Sequence, residues 1–95
     1  MNLTHVIVHE RVKDHAKWLK GFQNDAVNRK GSMGGVIYQL GEDPNQHYIV
    51  FEWDDEAVLD FMNLMGTPRM KKVFEEAGVA EQTFKLCSPI IKFEK

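Results

Sequence analysis

Apolar and polar positions alternate along four stretches of the chain and recur at helical spacing along the two stretches between them. Residues 3–12, LTHVIVHERV, are β-branched and alternating, which predicts a strand with Thr4, Val6 and Val8 on one face and Leu3, His5, Ile7 and His9 on the other. In DHAKWLKGFQNDAVNRKG the period becomes helical. Asp14 is placed to cap the helix, Trp18, Leu19, Phe22 and Ala26 form its stripe, and Arg29 and Lys30 sit where cations suit the dipole, before Gly31 or Gly34 releases the chain. A second strand, GGVIYQLGE, is predicted to join HYIVFEW through a type I turn at Asp43-Pro44-Asn45-Gln46. Asp54 or Asp55 then caps a second helix striped with Ala57, Val58, Phe61, Met62 and Met65. GTPRM interrupts that helix, Pro68 starts a further turn and a half, and Gly78 ends it. QTFKLCSPIIKF is the last predicted strand, with Pro89 confined to an edge or a bulge.

The resulting order, β-α-β-β-α-β, predicts an α+β, ferredoxin-like unit over residues 1–95: a four-stranded antiparallel sheet with two helices on one face. On the third strand Ile49, Phe51 and Trp53 share the bulkier face, expected to meet the helices. Tyr48, Val50 and Glu52 are then left on the bare face with His5, Ile7 and His9. From the second strand, either Val36, Tyr38 and Leu40 or Ile37 and Gln39 join them. Leaving that much apolar surface in water costs roughly 25 cal/mol per Å². A homodimer that covers it is the simplest solution, and would close a half-polar chamber lined by Ile7, Tyr38, Tyr48 and Val50, with Glu52 pointing inward.

Composition narrows the function classes. At 95 residues, 43% hydrophobic and 27% charged, the chain has the make-up of one small folded unit. A net charge of −2 lacks the basic excess that nucleic-acid binding needs. The single cysteine, Cys87, cannot close an intramolecular disulfide, which fits a reducing, cytoplasmic setting. No signal-peptide pattern opens the sequence and no apolar run approaches the length of a membrane span.

The candidate chemistry centres on Glu52, which with His5, His9 or Tyr48 could form an acid–base pair for enolisation or proton transfer. His5 and His9 are four residues apart on one strand, hence about 13 Å apart along it, and cannot chelate one metal by themselves. No phosphate-binding loop, dinucleotide fingerprint or metal signature is present, so no cofactor is expected. Trp18, Trp53 and the methionines Met62, Met65 and Met70 read as core, and Cys87 as inert packing.

Taken together, THVIVHERVKD, Trp18, DPNQHYIVFEWDD and TPRMKKVFEEAGV resemble the dimeric α/β-barrel superfamily, which includes the antibiotic biosynthesis monooxygenases and small proteins carrying a "cyclase" label. The resemblance covers nearly the whole chain. It implies a homodimer and an enzyme of the cofactor-free oxygenase or cyclase kind acting on a small hydrophobic, ring-bearing molecule. A fold does not imply a function, and a non-catalytic small-ligand binder or structural dimer is the other expectation.

Overall fold

The computed structural model describes residues 3–95. Its elements are β1 (Leu3–Val12), α1 (His15–Asn24) running into a 3-10 turn at Asp25–Asn28, β2 (Ser32–Leu40), β3 (Asp43–Asp54), α2 (Asp55–Met65), α3 (Pro68–Glu76) and β4 (Val79–Cys87). The strands lie in the order β2-β3-β1-β4, and every neighbouring pair is antiparallel. This is the ferredoxin-like arrangement expected from the alternation.

Each helix starts where its first turn finds an acceptor. The Asp14 carboxylate accepts from the Lys17 amide, Asp54 accepts from the Glu56 amide, and Thr67 accepts from the Met70 amide with Pro68 just inside the helix. The second crossover is two helices rather than one. Gly66-Thr67-Pro68 ends α2 and restarts the chain as α3, because the Thr67 hydroxyl and the missing proline N–H both favour a new N-terminus there.

Two strand boundaries differ from the sequence expectation. The hairpin closes at Gly41 and Glu42, with Gly41 at φ +59°, and not at Asp43–Gln46. The register jumps from Gln39↔His47 to Leu40↔Asp43, so residues 44–46 bulge out of the β2–β3 ladder. Asp43 still makes its local turn, accepting from the Asn45 amide at 2.9 Å. β4 begins three residues earlier than expected and stops at Cys87, two residues short of Pro89, which cannot donate to a ladder.

The core lies between the sheet and the helices. Val6, Val8 and Val12 of β1 and Ile49, Phe51 and Trp53 of β3 meet Trp18 of α1 and Val58 and Phe61 of α2. Trp53 is fully buried, stacked on Phe61 at 3.9 Å between ring centroids and edge-on to Phe51 at 5.6 Å. Its indole N–H donates to the Lys30 carbonyl at 3.2 Å. The chain passes directly beneath it at Gly31, whose φ of +89° and contact with Ala57 and Trp53 leave no room for a side chain.

The other sheet face carries no helix. Val36 pairs with Val50 and Tyr38 with Tyr48, which settles the second-strand alternatives: Val36 and Tyr38 lie on the bare face, while Ile37 packs on the core. Val36, Tyr38 and Tyr48 are 51%, 53% and 40% exposed.

Candidate active site

The alternation that buries Val6 and Val8 carries on to Glu10, and places a carboxylate on the helix side of the sheet. Its cross-strand partners there are His47 of β3 and Gln82 of β4. Glu10 is only 4% exposed and His47 1% exposed. A polar row therefore crosses the sheet inside an otherwise apolar layer. Such a row is costly unless its members are paired.

The pairing is incomplete. The Gln82 side-chain amide donates to Glu10 Oε1, while Glu10 Oε2 is buried with no hydrogen-bond partner among the described residues. Burial pushes the Glu10 carboxyl above its ordinary range, and the Gln82 hydrogen bond and the nearby Trp18 indole pull it back only in part. His47 lies under Trp18, ring centroids 4.2 Å apart. Its Nε2 stands 2.7 Å from the Pro44 carbonyl and 2.8 Å from His15 Nδ1, so one N–H on Nε2 serves both acceptors. Burial lowers the His47 pKa, and the Pro44 carbonyl opposes that. With a folded-state pKa below its ordinary 6.5, His47 contributes stability that is full above pH 6.5 and is lost as pH falls through its lowered value.

Glu10 faces a cavity of about 90 Å³ between the sheet and the helices. Trp18, Phe22, Phe51, Phe61, Phe84 and Met65 supply its apolar wall, and Gln82, Asp25 and Arg29 are its other polar groups. An adjoining cleft of about 340 Å³ under β2 shares Phe22, Arg29, Ile49 and Phe51 with it. Apolar walls with a few convergent polar atoms are the ordinary form of a small-molecule site. An aromatic lining offers ring-face contacts to a flat ligand. Glu10 is the deeply buried carboxyl on that lining, and a carboxyl there is a candidate base.

Neither a protein-family model nor a curated protein matches the chain. Its backbone does match solved structures. SnoaB, a cofactor-independent oxygenase from Streptomyces nogalater, superposes with a TM-score of 0.71 over 100% of both chains at 13% identity. A candidate antibiotic biosynthesis monooxygenase from Bordetella bronchiseptica gives 0.68 at 15% identity, over 96% of this chain and 100% of its own. A conserved protein from Methanosarcina mazei gives 0.63 at 20% identity, over 93% of each chain. The fold is that of the antibiotic biosynthesis monooxygenases. At these identities the likeness to the monooxygenases lies in the backbone, and the side chains of the site have to be read from this chain.

The residues singled out in the sequence lie on the opposite side of the sheet from the cavity. His5 and Glu52 are cross-strand partners, with His5 Nε2 3.9 Å from Glu52 Oε1, and the Glu52 side chain is 51% exposed. His9 stacks on Tyr48 at 4.9 Å between ring centroids, four residues along the strands from that pair, with Ile7 and Val50 between. Ile7, Tyr38, Tyr48 and Val50 share this helix-free face, and none of them borders the cavity that Glu10 faces. Among the described residues, no three His, Cys, Asp or Glu side chains cluster as a metal site would require. No helix there is long and apolar enough to cross a membrane. Glu10, Gln82 and Arg29 were not singled out from sequence. The signal for Glu10 was present, since it shares a face with Val6, Val8 and Val12 on an unbroken strand.

Proposed function

We propose that the protein is a cofactor-independent oxygenase that acts on a small hydrophobic, ring-bearing molecule held between the sheet and the helices. The observation that carries this reading is the Glu10 carboxyl, buried in an aromatic cavity with Oε2 unpartnered. The shared fold with SnoaB supports it. In this reading Glu10 is the base. A carboxylate in apolar surroundings is more basic than one in water. Glu10 takes a proton from a ring methylene activated by a neighbouring carbonyl, leaving an enolate. The enolate reduces dioxygen and forms a C–O bond to it, and Glu10 returns its proton to the outer oxygen, giving a hydroperoxide. Loss of the second methylene hydrogen with cleavage of the O–O bond leaves a new carbonyl and releases water. The carbon loses four electrons and dioxygen gains four, so one ring CH₂ and one O₂ give one C=O and one H₂O. The test is dioxygen uptake by the purified chain, with no added cofactor, on a bicyclic ketone such as 2-tetralone. Uptake above the uncatalysed rate, lost in Glu10→Gln, is expected. Binding of the ketone with no uptake would leave a ligand-binding protein in place of an oxygenase.

The same reading assigns the helix-free face to a second copy of the chain. Val36, Tyr38 and Tyr48 stand exposed there around Ile7 and Val50, an apolar patch that a monomer leaves in water. His5 and Glu52 then lie in the interface, where a histidine–carboxylate pair helps set register, and the proton-transfer role passes to Glu10. Sedimentation equilibrium at micromolar concentration is expected to give twice the 11.0 kDa chain mass. The chain mass alone would contradict the covered face.

A further inference from the structure

Arg29 stands at the junction of the cavity and the adjoining cleft, and lines both. It follows the 3-10 turn Asp25–Asn28, and its placement is specific. One guanidinium nitrogen donates to the Phe22 carbonyl at 2.9 Å, and the guanidinium carbon lies 4.0 Å above the Phe22 ring centroid. These two contacts hold the group against the apolar wall. They use one of the five N–H donors a guanidinium offers.

What Arg29 lacks is an anion. Among the described residues no carboxylate comes within ion-pair distance of it. Asp25, which lines the same cavity, accepts instead from the Asn28 side chain and forms no ion pair with Arg29. Burial lowers the Arg29 pKa, with the Asp25 charge opposing, so the cation is partly stripped of water without the full compensation of a pair. A half-buried, rigidly held guanidinium with a free fork matches a planar carboxylate, which it can engage through two parallel N–H···O bonds.

We propose that the molecule taken by this cavity is a ring-bearing carboxylate, with Arg29 as the residue that selects the anion while the aromatic walls hold the ring. The proposal rests on the cavity being the functional site and names its substrate class. The ring lies against Phe22, Phe51 and Phe84, and the carboxylate emerges at the Arg29 junction. Glu10 disfavours a second negative charge deeper in the cavity, which orients the ligand with its uncharged end inward.

Naphthalene, 2-naphthol and 2-naphthoate share one ring system and differ in the polar group, so titrating the full-length chain with each at pH 7.5 separates ring from charge. Quenching of Trp18, which lines the cavity, gives the readout. The expected result is 2-naphthoate binding about 10-fold or more tighter than naphthalene, in line with a charged hydrogen bond worth about 1.5–3 kcal/mol. In Arg29→Gln that preference falls to none. Arg29→Lys, which keeps the charge and loses the fork, retains only part of it. Naphthoate binding no tighter than naphthalene in the wild type would overturn the proposal and leave the ring-binding cavity standing. A preference that persists in Arg29→Gln would overturn the role of Arg29. If none of the three compounds binds, the cavity itself is not the site and the proposal falls with it. The wild-type series decides the anion preference even if Arg29→Gln fails to fold.

Discussion

Trp53→Ala is expected to lower the unfolding free energy by about 3–5 kcal/mol, the range found when a large buried aromatic is truncated. Its neighbour Glu52→Ala should stay within about 0.5 kcal/mol of the wild type, as surface substitutions usually do. The contrast follows from the pleat. Trp53 is fully buried, stacks on Phe61, meets Phe51 edge-on and ties the loop before β2 through the Lys30 carbonyl. Its removal opens a void at the meeting point of β3, α2 and that loop. Backbone on both sides is held there, by Gly31 on one and by the cap of α2 on the other, so the site collapses poorly. Glu52 points the opposite way, half in water, 3.9 Å from His5. Urea denaturation of the two variants checks this, and equal midpoints would show that the faces of β3 are exchanged.

Glu10→Gln is expected to lower turnover by about 10²–10⁴-fold, the usual worth of a positioned general base. The same change should raise the denaturation midpoint at neutral pH. The folded-state pKa of Glu10 lies above its ordinary 4.5, so its contribution to stability is full below pH 4.5 and is lost as pH rises through the raised value. At neutral pH the wild type therefore carries the cost of a buried, half-paired carboxylate. Glutamine keeps the shape, its carbonyl still accepts from Gln82, and it has no charge to desolvate. Comparing midpoints at pH 7 and pH 4 separates the two states: the variant gains on the wild type at pH 7, and the gap closes at pH 4. Each comparison is made at one pH, so the loss of His47 stability in acid cancels. A gain in stability at the expense of activity is the pattern expected where a site holds a group the fold alone would not choose. A variant less stable than the wild type at pH 7 would mean that the carboxylate is satisfied and structural.

Local periodicity made most of the fold legible. Val6 and Val8 against His5 and Ile7, or Phe51 and Trp53 against Val50 and Glu52, alternate so cleanly that strand, face and helix side follow together. The misplaced hairpin has a local cause. Asp43-Pro44-Asn45 carries turn chemistry and does bend the chain, but as a bulge within β3, while Gly41 supplies the positive φ at the tight end. The inward-facing polar groups are less legible. Alternation places Glu52 on the helix-free face beside His5, as expected, and says nothing of the cavity on the other side. Glu10 follows the same rule inward, with nothing beside it in the chain to show that Gln82 and Trp18, 72 and 8 residues away, would meet it. Arg29 reads as an ordinary helix-terminal cation until the 3-10 turn folds it back over Phe22. Long-range convergence of this kind is set by topology, and a single sequence does not display it.

Small ring-bearing molecules are expected to enter between the sheet and the helices, against Glu10. A two-dimensional NMR titration of the isotope-labelled chain with 2-naphthol tests it most directly, because the two faces of the sheet report separately. Shift changes concentrated at Glu10, the Trp18 indole N–H, Phe51, Gln82 and Phe84 are expected. Changes concentrated instead at His5, Ile7, His9, Tyr48 and Glu52 would contradict this and place the site under the helix-free face.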